Sequence, residues 1–593
     1  MSEITRKTEP ELFQFINDIV DKVGTKFPKR IYLTYDVNAF VFYDSSFWSM
    51  FFPIKKNLAI GLGLLHTTTV DEIKAILSHE FGHFSQKSMK IGSYVYNVNT
   101  ILYNMLFENR TYNNIVRGWA SISRYFAIFA YPAIWIVQII QWIAKQFYLL
   151  INKTYMSLSR EMEFHADTVA ANIAGSDSLS NALLRLELSS LALNNVLSFY
   201  HERIEDNIIS KNIFNDQLFV LQHIAEINNI EIRNGLPYVF INDINKFNKS
   251  KLIIKNQWSS HPTTQDRITA LSNLNVVKPN NDNRSATVLI ANIQECQEYF
   301  TSSIFLSVKY SQTPKKLDNG EFGAAYTEYV KKMSFDRIYG NYYDNKNPVI
   351  FDENEITTNE EIYDILELFS SEKVNLIDNM RALDNDILII NQIITKDINV
   401  RTFDYDGVRY KKKNGIDLLQ KLETAKKHLE EAIKKNDVNI YSYFYKKAKD
   451  KNKIEEFTEK SKKLVEYFRI HSAREKIYHD IRWSLNFITS GEQIDIEQAK
   501  DYFKNVSRYE KLLKDEIKNM LDDDIGIKGM TTKMKSDFYT YSSKTYKYLT
   551  YDKYDVDSLS MLFEAIQNFA VLNHKILFEI KKDYLEFQTK LIN

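Results

Sequence analysis

The stretch "TTTVDEIKAILSHEFGHFSQ", residues 67–86, decides how the first half of the chain is read. Its apolar residues Ile73, Ile76, Leu77 and Phe81 recur at the spacing of one helix face. Thr69 is placed to cap the start, and Asp71 and Glu72 suit the positive end of a helix dipole. Such a helix brings His79 and His83, four positions apart, onto one face, where two imidazoles can share one cation. Glu80 is turned to the side, within reach of a water next to that cation but not bound to it. This is the spacing a zinc-dependent peptidase helix needs. Two imidazoles do not complete such a site, so the rest of the chain must supply another ligand.

The remaining composition narrows where that ligand can come from. The chain has 593 residues, long enough for two to four domains, with 44% hydrophobic and 26% charged residues, as in folded globular proteins. Only 16 Gly and 9 Pro are present, which favours long helices over many tight turns. Lys plus Arg equals Asp plus Glu, 76 each, so no net charge points to a nucleic acid partner. Cys296 is the single cysteine. An intrachain disulfide is therefore excluded, and a metal site must use His and carboxylates. The first 20 residues carry charges throughout and do not read as a signal peptide, which suggests a catalytic part in the cytoplasm.

Residues 159–171, "SREMEFHADTVAA", read as part of a second helix, which ends at Gly175 before another begins. Glu163 and Asp167 share a face of it. Glu163 would complete a His–His–Glu set with one position left open, as catalytic zinc sites require. Asp167 would accept the outward N–H of a ligand histidine and fix its tautomer. Ala166, Ala170, Ala171 and Ala174 are small enough for close helix packing. His165 points away from Glu163 by helical phase and reads as a bystander.

"SHEFGH" (78–83) followed by "SREMEFHAD" (159–167) resembles the HtpX-type and CAAX-prenyl-protease-type zinc metallopeptidases. "NAF" (38–40) is similar to that family's strand upstream of the zinc helix, and "HPTTQDRI" (261–268) to its later His-Pro…Arg segment. The resemblance covers roughly residues 10–275. It implies a gluzincin: one Zn2+ per chain held by His79, His83 and Glu163, with Glu80 as the catalytic base. The oxyanion formed in peptide hydrolysis needs positive character beyond the metal. His261 or Arg267 could supply it or could position Glu163; a cap and a salt bridge are their structural alternatives. Asn38, Ala39 and Phe40 could form an edge strand that holds a substrate backbone by strand addition, or a purely structural strand.

The expected fold is mainly α with a small β-sheet (α+β). A zincin-like metallopeptidase domain over 1–275, with an apolar insertion at about 91–151, precedes a largely helical domain over 276–593. In the first domain, 9–23 reads as a helix, 30–43 as strand, turn, strand, and 57–65 as a further strand. In the second, "FDYDGVRYKK" (403–412) reads as a hairpin turning at Asp-Gly. The 415–435 stretch reads as a helix with Ile416, Leu419, Leu422, Leu429 and Ile433 on one face. The Tyr-rich run 537–555 reads as a packed helix-and-turn segment. The second domain resembles no family; it would shield the site, select substrates or recruit partners.

Within the insertion, "YFAIFAYPAIWIVQIIQWIA" (125–144) has no charge over a bilayer-spanning length. The 91–107 tract is apolar but interrupted by Asn97, Asn99 and Asn104. His79, His83 and Glu163 must meet at one ion, so the chain between 84 and 162 crosses a membrane zero times or twice, never once. Family members usually carry membrane helices, often an N-terminal pair; the first 60 residues here hold no such span. The expectation is a site on the cytoplasmic face of a membrane, a bacterial inner membrane by the resemblance, with a soluble cytoplasmic protein as the alternative. The expected activity is endopeptidase action on membrane-associated or misfolded proteins. A catalytically inactive metal-binding scaffold or chaperone-like protein is the alternative, although it would have no use for a base at Glu80.

Overall fold

The computed structural model describes residues 1–42, 56–85, 157–241, 243, 249–253, 262–278, 282–352, 364–398, 400, 402–490, 494, 496–550 and 553–592. The 91–107 and 125–144 tracts and His261 lie outside the described residues. The chain forms two compact units, Met1–Asn248 with Ile253–Tyr326, and Lys249–Leu252 with Thr327–Asn593. Helices dominate both, with small sheets.

The first unit opens with strand β1 (Ser2–Ile4) and helix α1 (Pro10–Val23). Proline in the first turn of α1 has no N–H to leave unsatisfied. The helix buries Leu12, Phe13, Ile16, Ile19 and Val20 and stops at Gly24, whose φ of 74° suits a residue without Cβ. Strands β2 (Ile31–Thr34), β3 (Ala39–Phe42) and β4 (Asn57–Gly61) complete a sheet of order β1-β2-β4-β3. β2 and β4 run parallel, and the outer strands are antiparallel to their neighbours. All five residues of β4 are buried, and among the described residues β3 is an edge strand.

The 57–65 stretch is not one strand. It turns after Gly61 into the short helix α2 (Leu62–His66). At Gly61 the chain passes so close to Asp36 that a Cβ would lie 1.8 Å from its carbonyl oxygen, so only glycine fits the bend. The Thr67 and Thr68 hydroxyls then donate to the Gly63 and Leu64 carbonyls, each at 2.8 Å, and satisfy the helix end. A run of apolar residues cannot distinguish this from a continued buried strand.

Four further helices complete the frame of the site: α3 (Val70–Ser85), α4 (157–174), α5 (Ser176–His201) and α7 (Thr264–Leu274), with α6 (Ile213–Ile227) packed on α5. Gly175, at φ 98°, separates α4 from α5. Ala75 of α3 is buried with Ala170, Ala171 and Ala174 of α4 and Leu271 of α7.

The unit continues past residue 275, where the composition changes, because segment 282–301 is built into it. The Val70 and Asp71 amides, unsatisfied at the start of α3, donate to the Arg284 and Asp282 carbonyls. Asn212 donates to Gln297, and the Ile213 amide to Thr301. Such backbone pairing is invisible to composition.

In the second unit, α8 (Ser371–Thr395) packs against α9 (Gly415–Asp450). Between them Thr402–Tyr405 pairs with Val408–Lys411, turning at Asp406 and Gly407 with φ of 50° and 77°, as a primed two-residue turn requires. On α9 the buried stripe is Leu418, Leu422 and Ile433. Ile416, expected on that stripe, is 53% exposed; Gly415 and Leu418 take the core-facing positions of the first turn. Helices α10 (Ile454–Ser484), α11 (Ile496–Asp522), α12 (Thr532–Ser543) and α13 (Val556–Ile592) share one large core with α9. From the Tyr-rich run, Phe538, Tyr541 and Tyr548 are buried in it.

Candidate active site

The start of α3 is fixed by a reciprocal cap. The Glu72 amide donates to the Thr69 hydroxyl at 3.3 Å, and the Thr69 amide donates to the Glu72 carboxylate at 2.8 Å. Such a capping box satisfies two orphan amides and contributes about 1 kcal/mol. Glu72 also pairs with Arg185 of α5, both buried, and Arg185 donates onward to the Pro237 carbonyl. Arg185→Ala would leave the Glu72 charge buried and should cost about 3–5 kcal/mol of stability in a denaturant titration.

Two turns further on, His79 and His83 present their imidazoles together, with Nε2 atoms 3.2 Å apart. Glu163 arrives from α4. Its carboxylate lies 3.4 Å from His79 Nε2 and 3.5 Å from His83 Nε2. All three ligand atoms fall within 4.8 Å of one another. Bonds of about 2.0–2.2 Å to a tetrahedral zinc ion place its ligand atoms roughly 3.3–3.5 Å apart. The separations match that figure, and two imidazole nitrogens facing a carboxylate form a set that a cation satisfies.

The approach of the two helices depends on Gly82. A Cβ there would lie 3.1 Å from Ala166 Cα and 3.3 Å from Val169 Cβ, tight enough to move α4, and Glu163 with it. Sequence reasoning credited the close packing to the alanines of α4 and missed the glycine that faces them, although it sits inside "SHEFGH". Gly82→Ala should gain about 1 kcal/mol of helix propensity yet weaken metal binding, and Gly82→Val should weaken it more. Competition against a chromogenic chelator measures this.

Behind His79 the support is complete. Its Nδ1 lies 2.9 Å from Asp167 Oδ1, so the Nδ1–H donates to Asp167 and Nε2 faces the cluster. Asp167 is itself clamped by Arg267 of α7, Nε at 2.9 Å from Oδ2 and the second contact from Nη2 to Oδ1. The same Nη2 sits 3.3 Å from His79 Nδ1. Arg267, considered for the oxyanion, is thus a bidentate partner of Asp167 on the ring edge away from the ligand atoms. Arg267→Ala should cost roughly 10–100-fold in metal affinity, the range typical of such supporting partners.

Electrostatics follow from this packing. Burial pushes Glu80 up to about 7, with Glu163 adding and the His79 charge opposing, near the value that suits a general base at neutral pH. Burial, with the His79 charge, holds His83 down at about 4. Burial alone would lower His79, but its hydrogen bonds to Asp167 and Glu163 prevail and raise it to about 9. Burial would raise Glu163, but His79 outweighs it and holds the carboxylate at about 2. The metal-free site therefore carries a proton on His79 that a cation must displace. Below pH 9 binding should release it: zinc titrations at about pH 8 in buffers of different ionisation enthalpy should report roughly one proton.

His165 is exposed on the far side of α4. Ala39 of β3 is buried, Asn38 is exposed and Phe40 is half-buried. β3 pairs with β4 on one side and forms the edge of the sheet, and it packs against α3.

Residues 6–275 match the model of peptidase family M48. Among curated proteins the chain is similar to proteins named Protease HtpX. It is 29% identical to that of Vibrio atlanticus over 31% of this chain and 60% of the relative. For Pseudomonas savastanoi pv. phaseolicola the identity is 31%, over 31% of this chain and 59% of the relative. For Aliivibrio salmonicida it is also 31%, over 31% and 60%. The chain thus spans about six tenths of the length of these relatives. No solved structure matches it significantly.

Proposed function

We propose that the chain is a zinc-dependent endopeptidase in which His79, His83 and Glu163 hold the ion and Glu80 is the general base. The observation that carries this reading is the convergence of three ligand atoms within 4.8 Å, two of them on the helix that also carries Glu80. A zinc ion bound there supplies Lewis acidity toward a water and a scissile carbonyl. Glu80 takes the proton of that water and returns it to the leaving amine. Arg267 and Asp167 keep His79 in the tautomer that offers Nε2. Strand β3, the sheet edge among the described residues, offers its backbone to an extended substrate. Hydrolysis of casein, abolished by a chelator and restored by zinc, tests the reading; chelator-insensitive or absent hydrolysis would overturn it.

Substrates are proposed to be membrane-associated or misfolded proteins. The support is the uncharged 125–144 tract, which lies between two ligands that must share one side of any bilayer. Among the described residues no helix is long and apolar enough to cross a membrane. Expressed protein should sediment with membranes after a high-salt wash; recovery in the supernatant without detergent would remove the membrane part of the proposal.

A further inference from the structure

The second unit carries another convergence of ligand-type side chains, on two of its longest helices. α10 and α13 run antiparallel: Phe457 meets Tyr584 and Phe587, Lys460 pairs with Asp583, and further along His471 meets His574. His471 Nε2 lies 3.3 Å from His574 Nδ1. Glu475, one turn beyond His471 on the same helix face, completes a triangle. Its Oε1 is 3.9 Å from His471 Nε2 and 3.7 Å from His574 Nε2. His479, one further turn along α10, lies with Nε2 3.8 Å from Glu475 Oε2. Three of the eleven histidines of the chain thus gather around one carboxylate.

The carboxylate is held for the purpose of meeting them. Asn573, buried on α13, donates from Nδ2 to Glu475 Oε1 at 3.0 Å and lies 3.3 Å from the His471 carbonyl. Oε1 also faces His471 and His574, and Oε2 faces His479. The neighbouring cation, Arg474, is engaged by Glu516 at 3.0 Å and so does not neutralise Glu475.

We propose that His471, Glu475 and His574 form a second metal site, which takes a divalent transition ion of the zinc class and clips α10 to α13. The donor set, imidazoles with one carboxylate and no thiolate, suits Zn2+, Co2+, Ni2+ or Cu2+ rather than Mg2+ or Ca2+. One ligand atom from each of the three residues lies within 4.8 Å of the others, and side-chain rotations bring them to the roughly 3.3 Å of tetrahedral ligation. His479, 73% exposed, has room to swing in as the fourth ligand. The site is independent of the His79–His83–Glu163 cluster: it shares no residue with it and lies in the other unit. An ion there would tie the middle of two long helices together and stabilise the second unit by binding only its folded state.

The test is zinc uptake by the full chain, by equilibrium dialysis and metal analysis, for the wild type and His574→Ala. His574 is 64% exposed, so its removal leaves the core intact. The wild type should take up one equivalent more than the variant, and zinc should raise its melting temperature further. A Co2+-loaded wild type should show visible absorption that is partly lost in His574→Ala and equally in His471→Ala. Equal zinc uptake by wild type and His574→Ala would overturn the proposal. The comparison is a difference between two chains with the same first unit, so it stands or falls separately from the peptidase site.

Discussion

Glu80→Gln should leave zinc affinity and melting temperature near those of the wild type while peptide hydrolysis falls by roughly 10²–10⁴-fold, the contribution typical of a positioned base. The argument is geometric. Glu80 sits on α3 between His79 and His83 in sequence, but the ligand cluster consists of the two imidazoles and Glu163. Glutamine keeps the size and polarity of the side chain and loses only the capacity to accept a proton. The loss should appear in kcat with little change in KM, since the group acts on the water and not on substrate binding. Unchanged turnover in this variant would remove Glu80 from the mechanism.

Glu163→Ala should act the other way, on the metal first. It removes one of three ligands, so zinc affinity should fall by more than the upper end of the roughly 10–100-fold expected for a supporting partner such as Arg267. Activity at limiting zinc should then be lost. The structure adds a second consequence. In the metal-free chain His79 is raised by its hydrogen bonds to Asp167 and Glu163, against the effect of burial. Without Glu163 that histidine loses one of its two anionic partners, and its pKa should move down. NMR titration of the His79 imidazole in the metal-free variant would show it. Retained zinc affinity in Glu163→Ala would mean that the third ligand lies elsewhere.

The helix of residues 70–85 and the pair of helices around Gly175 were legible in the sequence because caps, periodicity and a left-handed glycine all act locally. The approach of His79 to His83 was legible for the same reason, since an i, i+4 pair on a helix is a local fact; Glu163 lies on another helix and meets them only through packing. What the sequence did not disclose depends on packing. Gly82 matters through Ala166, far along the chain, and Arg267 meets Asp167 only once α7 has docked. Residues 282–301 belong with the first unit because backbone amides of α3 needed carbonyl partners, and composition carries no trace of that. Ile416 fell outside its expected stripe because Gly415 and Leu418 face the core in the first turn of α9. The His471–Glu475 spacing was present in the sequence, but its partner His574 lies on another helix.

A crystal of the zinc-loaded chain with an anomalous difference map at the zinc edge tests the central claim most directly. The account predicts a peak about 2.0–2.2 Å from His79 Nε2, His83 Nε2 and a Glu163 carboxylate oxygen, with Asp167 on the far edge of the His79 ring. No peak between these three side chains, or one whose ligands include His165 instead of Glu163, would contradict it.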